Sequence, residues 1–204
     1  MIGLAAHTIS CQRGGRLVFR EVSFSLASGE ALLVTGPNGA GKTSLLRQIA
    51  GLLPLAGGDL LLDGAGPEAE LPEHCHYVGH LNAVKTSLSV GENLAFWAEF
   101  LGANGASLAP ALGAFGLTPL ADLPAGLLSA GQKRKLALSR LFTAKRPIWL
   151  LDEPQTSLDA ASLKLLDAAI KAHLDTGGLA IVASHVALKT KFPNKLALGT
   201  ERVS

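Results

Sequence analysis

With only two cysteines, Cys11 and Cys75, among its 204 residues, the chain cannot be organised by a disulfide framework. Neither sign of charge is in excess. The 18 Lys and Arg against 16 Asp and Glu leave a net +2, too little for a strong pull toward nucleic acid. The one tight basic run, Lys133-Arg-Lys135, reads as a solvated helix face. No stretch approaches the ~18 consecutive apolar residues that a bilayer span requires. The first residues show no long apolar core behind a basic head, which argues against a secretory leader, and no internal repeat of useful length is present. What the chain does have is a 48% hydrophobic content and a mean hydropathy of +0.33. That is enough for one sizeable core in a single domain, 1–204, with room for a subdomain.

The most specific segment is Gly36-Pro-Asn-Gly-Ala-Gly-Lys-Thr43, which satisfies G-x-x-x-x-G-K-[ST] at every fixed position. Gly36, Gly39 and Gly41 allow sharp backbone bends and close approach to a ligand. Successive N–H groups of the turn, which also contains Pro37, Asn38 and Ala40 (Pro37 itself having no N–H to give), then line an anion nest. Ala31-Leu-Leu-Val-Thr35 before it is a short apolar run and reads as a buried strand. Thr43 to Ala50 after it, starting Thr43-Ser44, reads as a helix with Leu45, Leu46 and Ile49 on one face. Strand, Gly-rich turn and helix N-terminus make a phosphate site. Lys42 is placed to neutralise the β- and γ-phosphates, and Thr43 to offer its hydroxyl to Mg²⁺.

Around this cradle the pattern is α/β. Leu4 to Thr35 carries alternating apolar positions (Leu17, Phe19, Val22, Phe24, Leu26) and reads as antiparallel strands. Leu60-Leu-Leu62 before Asp63-Gly64 reads as another. His74-Cys75-His76 reads as a strand start, because alternation puts the two imidazoles on one face and the thiol on the other, which does not gather three ligands. Val90 to Leu101 is helical, with Leu94, Trp97, Ala98 and Leu101 in a stripe, and Leu108 to Phe115 is a second short helix. Residues 82–139 therefore read as a helical subdomain inserted in a sheet-based core. Ile148-Trp-Leu-Leu151 and Leu179-Ala-Ile-Val-Ala183 are buried strands, separated by an amphipathic helix from Ser162 to Thr176 carrying Leu163, Leu166, Ile170 and Leu174. Strands alternating with helices predict a parallel sheet.

Two further carboxylates and a histidine fall at strand ends. A carboxylate at the C-terminal edge of a parallel strand faces the ligand crevice. Asp152 is placed to hold Mg²⁺, and Glu153 to polarise an attacking water as a general base. His185 follows the last strand, at the same edge, where it can meet the γ-phosphate or orient the water. The segment Leu128-Ser-Ala-Gly-Gln132 opens a helix running to about Lys145, with Ser129 as a natural N-cap.

These motifs, in this order, resemble the ATP-binding-cassette ATPases over nearly the whole chain. Leu128–Gln132 is similar to that family's signature, Gly36–Thr43 to its Walker A, and Ile148–Glu153 to its Walker B with the catalytic Glu. Ser157-Leu-Asp159 is similar to its D-loop and His185 to its switch histidine. The resemblance implies a P-loop core with an antiparallel β edge, ATP with Mg²⁺, and a head-to-tail homodimer. Ser129 and the Gly131 N–H of one copy, with Asp159 nearby, would complete the nucleotide seat of the other. Two positions depart from the family pattern. Arg13 stands where an aromatic residue stacks on adenine, and a guanidinium stacks on a base as well. His80 stands where a Gln meets the metal. Imidazole suits Mg²⁺ less than an amide oxygen does, so His80 reads as a sensor of the partner or as a solvated loop histidine.

Arg13-Gly-Gly-Arg16, Tyr77-Val-Gly-His80 and Lys85-Thr86 before Ser89-Val-Gly-Glu-Asn-Leu94 are similar to the branch of the family that serves cytochrome c maturation. That branch implies ATP hydrolysis coupled to membrane subunits B, C and D, and through them to release of a haem-loaded chaperone. It also implies peripheral attachment at the cytoplasmic face of a bacterial inner membrane. No residue here suggests that the chain itself binds haem. The other readings are the ATPase subunit of a different transporter, or an ATP-driven switch acting on nucleic acid, which usually fuses two cassettes or carries long coils.

Overall fold

The computed structural model describes residues 1–66, 68–185, 190 and 192–199. Strands β1 (Gly3–Arg13) and β2 (Arg16–Leu26) form a hairpin closed by Gly14 and Gly15. Both glycines have positive φ, 54° and 77°, as a two-residue turn between twisted strands requires. Strand β3 (Ala31–Thr35) leads through the glycine turn into helix α1 (Lys42–Ile49). The chain then returns as β4 (Gly57–Asp63), which pairs antiparallel with the other edge of β1. The three-stranded antiparallel sheet therefore has the order β2-β1-β4. Although β3 follows the hairpin in sequence, it leaves that sheet and lies in the parallel one, so the antiparallel run expected up to Thr35 ends at Leu26.

Strand β5 (Cys75–Val78) starts the second layer. His74 belongs to the 3₁₀ turn Leu71–His74 before it and shares no strand face with His76. Buried His76 is bonded through Nε2 to Ala144 O at 2.9 Å, and burial lowers its pKa to about 4. It is a satisfied core histidine. Both thiols are buried and unpaired, and burial pushes Cys75 up to about 12.

Helices α2 (Val90–Phe100), α3 (Ala109–Ala114) and α4 (Ala130–Ser139) follow. They share an apolar cluster of Val90, Leu94, Ala111, Leu117, Ala125, Leu128 and Leu136. Helix α4 stops at Ser139, earlier than expected. The chain tightens into a 3₁₀ turn, Arg140–Phe142, and Thr143 Oγ1 donates to Arg140 O at 2.7 Å.

Strand β6 (Ile148–Asp152), helix α5 (Ala160–Asp175), strand β7 (Leu179–Ala183) and strand β8 (Asn194–Ala197) complete the core. The parallel sheet runs β5-β6-β7-β3-β8. It is buried on both faces, and β6 shows why its sequence is a continuous apolar run. Ile148 and Leu150 pack toward α1 and the antiparallel sheet, whereas Trp149 and Leu151 pack toward α5, against Leu166 and Ile170. Among the described residues no helix is long and apolar enough to cross a membrane. The architecture is α/β, a P-loop core with an antiparallel β edge and helices following the glycine turn.

Candidate functional site

The C-terminal ends of β3, β6 and β7 open onto one cavity of about 580 Å³. The glycine turn forms its floor. Gly36, Gly39 and Gly41 have φ of 141°, 86° and 99°, in the region that L side chains rarely adopt. A Cβ on Gly41 would fall 2.7 Å from Val18 and 2.8 Å from Phe19, and one on Gly36 would fall 2.4 Å from Leu198 O. At those two positions glycine is needed to seat the turn against the chain itself, not only to admit a ligand. Gly36, Pro37 and Ala40 form the back of the turn, with Ala40 N donating to Pro37 O at 3.2 Å, and do not line the cavity. Asn38, Gly39, Gly41, Lys42, Thr43 and Ser44 do line it. The Lys42 ammonium is held at the turn by Gly36 O at 2.7 Å and Pro37 O at 3.1 Å.

The opposite wall comes from β6. Thr43 Oγ1 donates to Asp152 Oδ2 at 2.8 Å, joining residues 109 apart in sequence, and Asp152 is only 2% exposed. A hydroxyl and a carboxylate oxygen so close together are hard donors of the kind Mg²⁺ takes, so the donor set fits that ion. Glu153 turns sharply after the strand, with φ of 47°. Its Oε1 accepts from His185 Nδ1 at 2.8 Å and its Oε2 from Gln155 Nε2 at 2.7 Å. Gln155 Nε2 also reaches Ser184 Oγ at 2.9 Å. The carboxylate is thus held from two sides while the imidazole stays 65% exposed. Arg13 and His80, both exposed, lie at the mouth.

Ser129, Gly131 and Asp159 do not line this cavity. Ser129 caps α4 in a reciprocal capping box, its Oγ accepting from Gln132 N at 3.2 Å and its N donating to Gln132 Oε1 at 2.8 Å. Gly131 abuts the loop before α5, and a Cβ there would fall 2.8 Å from Ser157 O. Asp159 caps α5, and its bonds from the Ser162 hydroxyl and N–H hold its carboxyl below the usual range. Ser129 and Asp159 are exposed.

Sequence reasoning misses four residues here. Val18 and Thr156 line the cavity without a motif to mark them. Gln155 is adjacent to Glu153, and its polarity at a strand end is the available signal. Arg134 is a correction. Within the run taken for a solvated face it is buried, 2% exposed, with its guanidinium under the loop that follows β6. Lys133 and Lys135 are partly exposed.

A glycine cradle, a buried lysine, a threonine–aspartate pair and a braced glutamate at the ends of parallel strands define a P-loop nucleoside-triphosphate hydrolase. A family model described as ABC transporter matches residues 19–156. The chain is 53% identical over 185 residues to the "Cytochrome c biogenesis ATP-binding export protein CcmA" of Bradyrhizobium diazoefficiens, covering 91% of this chain and 92% of that one. It is 49% identical over 185 residues to the protein of the same name from Nitrobacter winogradskyi, again covering 91% and 92%. The solved ATP-binding subunit of an ABC transporter superposes with a TM-score of 0.80 at 25% identity, over 90% of this chain and 79% of that one. A putative ABC transporter ATP-binding protein from Pyrococcus furiosus shares the fold, with a TM-score of 0.82 at 23% identity, over 96% and 97%. The chain belongs to the ABC transporter family and is an ATPase of that family's ATP-binding type.

Proposed function

We propose that the chain is the ATP-hydrolysing subunit of a bacterial membrane complex for cytochrome c maturation, working as a head-to-tail homodimer. The observation that carries the dimer is the split of its chemical groups. The cavity gathers Lys42, Thr43, Asp152, Glu153 and His185, while Ser129 and Gly131 sit outside it at the start of a ten-residue helix. A helix N-terminus attracts anions. A second copy facing the cavity would bring its Ser129 hydroxyl and Gly131 N–H to the γ-phosphate, with Asp159 nearby at the seam.

In this reading the Asn38–Ser44 backbone and Lys42 bind the phosphates, and Arg13 stacks on the base. Thr43 and Asp152 hold Mg²⁺, which when bound supplies charge neutralisation at the β- and γ-phosphate oxygens. Glu153 accepts a proton from the attacking water. His185 and Gln155 hold its carboxylate in place, His185 also presenting an imidazole to the γ-phosphate. Exposed His80 reports on the partner at the cavity mouth.

Residues 82–139 form the helical subdomain through which motion reaches the membrane. Its helix α2 carries Phe96 and Phe100, 41% and 69% exposed, beside Leu52 at 63%. Trp97 packs edge-on against both rings, and Lys85 and Arg140 lie over Phe96 and Trp97. This aromatic ridge is where membrane subunits would grip. The named relatives support a link to cytochrome c biogenesis, with maturation subunits B, C and D as partners and release of the haem-loaded chaperone as the output. Attachment is peripheral, at the cytoplasmic face of the inner membrane.

The decisive experiment uses Glu153→Gln. The variant is expected to bind ATP without turning it over and to elute as a dimer with ATP and Mg²⁺ in gel filtration; elution only as a monomer overturns the dimer. A mild-detergent pull-down of the wild-type chain is expected to bring down subunits B and C, and recovery of unrelated permease subunits instead assigns the chain to another transporter.

A further inference from the structure

Arg134 has five N–H donors, and each has an oxygen. Nη2 donates to Asp152 O and Glu153 O, both at 2.9 Å. Nε donates to Pro154 O at 3.1 Å. Nη1 donates to Gly79 O at 2.8 Å and Asn82 Oδ1 at 3.2 Å. None of the five acceptors is a carboxylate; burial holds the guanidinium below its usual range, outweighing the nearby Asp152 and Glu153 carboxylates, which favour the charge.

The acceptor pattern explains why the charge is there. Three consecutive carbonyls, 152 to 154, converge on one guanidinium. An extended strand end cannot do this, because its successive carbonyls alternate in direction. The left-handed turn at Glu153, which is unfavourable for a residue with a Cβ, brings them to one side. The same turn delivers the Glu153 carboxylate to the cavity. The other two bonds tie this loop to Gly79 and Asn82, the segment that carries His80.

We propose that Arg134 is a positioning residue for hydrolysis. It fixes the 152–154 backbone in the curl that aims Glu153, and couples that curl to the 79–82 segment leading into the α2 region. The proposal rests on the reading of Glu153 as the general base. Lysine cannot substitute, having the charge but three donors and no planar fork.

The test uses the full chain with Arg134→Lys and, because that variant risks misfolding, Asn82→Ala, which leaves the guanidinium in place and removes one acceptor. ATP with Mg²⁺ is the probe. For Arg134→Lys, kcat is expected to fall about tenfold or more while KM stays within about twofold, since the phosphate cradle does not touch Arg134. Amide hydrogen exchange across residues 152–158 is expected to quicken. Asn82→Ala is expected to lower kcat about two- to fivefold at unchanged KM. Wild-type kcat in Arg134→Lys, or, if that variant does not fold, wild-type kcat in Asn82→Ala, overturns the proposal. So does a kcat loss with unaltered exchange. Glu153→Gln in the same assay separates the two readings. If it keeps turnover, the base assignment fails. If it is inactive while Arg134→Lys is normal, only the positioning role fails.

Discussion

Lys42 is a buried cation at the glycine turn, with two carbonyl oxygens holding it in place. In the proposed reaction its charge meets the charge that builds up on the transferring phosphoryl group. Lys42→Ala is expected to lower phosphate release by about 10²-fold or more, from the loss of one preorganised stabilising group. Purified variant and wild type turning over equally would refute this. His76 gives a pH prediction of the opposite kind, about stability. Burial depresses its pKa from 6.5 to about 4. The unfolded chain takes up this proton below pH 6.5, and the folded chain only near 4. Stability is therefore unaffected at neutral pH and declines as pH falls through that window, by up to about 3 kcal/mol. His76→Gln is expected to flatten the acid limb of a denaturation series relative to wild type. At this scale the sequence was readable where a place at the cavity follows from spacing along the chain, as with Lys42, Thr43, Asp152 and Glu153. It was opaque for Arg134, whose acceptors are mainly backbone carbonyls. Those oxygens carry no side-chain signature, so a buried arginine in a basic run resembles an exposed one.

Two helices begin alike. Ser89 caps α2 with Glu92 as its reciprocal partner, and Ser129 caps α4 with Gln132. Alanine at either serine is expected to cost about 1 kcal/mol of stability. If Ser129 also serves a neighbouring nucleotide seat, only Ser129→Ala will weaken ATP-dependent dimerisation, and paired melting and gel-filtration runs separate the two effects. Helix starts are legible because caps and turns are local chemistry. Helix ends are less so. The extension of α4 toward Lys145 fails because Thr143 turns its hydroxyl back onto Arg140 and the last turn tightens, a competition that apolar periodicity does not record.

At the scale of the whole molecule, stability rests in the doubly covered parallel sheet. Leu150, fully buried in β6, is expected to cost about 2–5 kcal/mol when cut to alanine, whereas Leu61, 49% exposed at the edge of the antiparallel sheet, should cost far less. Urea titration of both variants reads the difference. The central strands were plain in the sequence because burial on two faces makes them continuous apolar runs. Strand β8 was not, since Asn194-Lys-Leu-Ala197 is short, half-exposed, and recruited only by the register of β3. If the chain pairs head to tail as proposed, the placement of Ser129 outside the cavity has a genetic consequence. A chain crippled at Lys42 still owns a sound serine, and one crippled at Ser129 still owns a sound lysine. Two inactive alleles mixed in equal amounts would then rebuild about a quarter of the intact sites through heterodimers, provided the pairing is two-fold and random. Complementation between them would show one molecule repairing another across the seam.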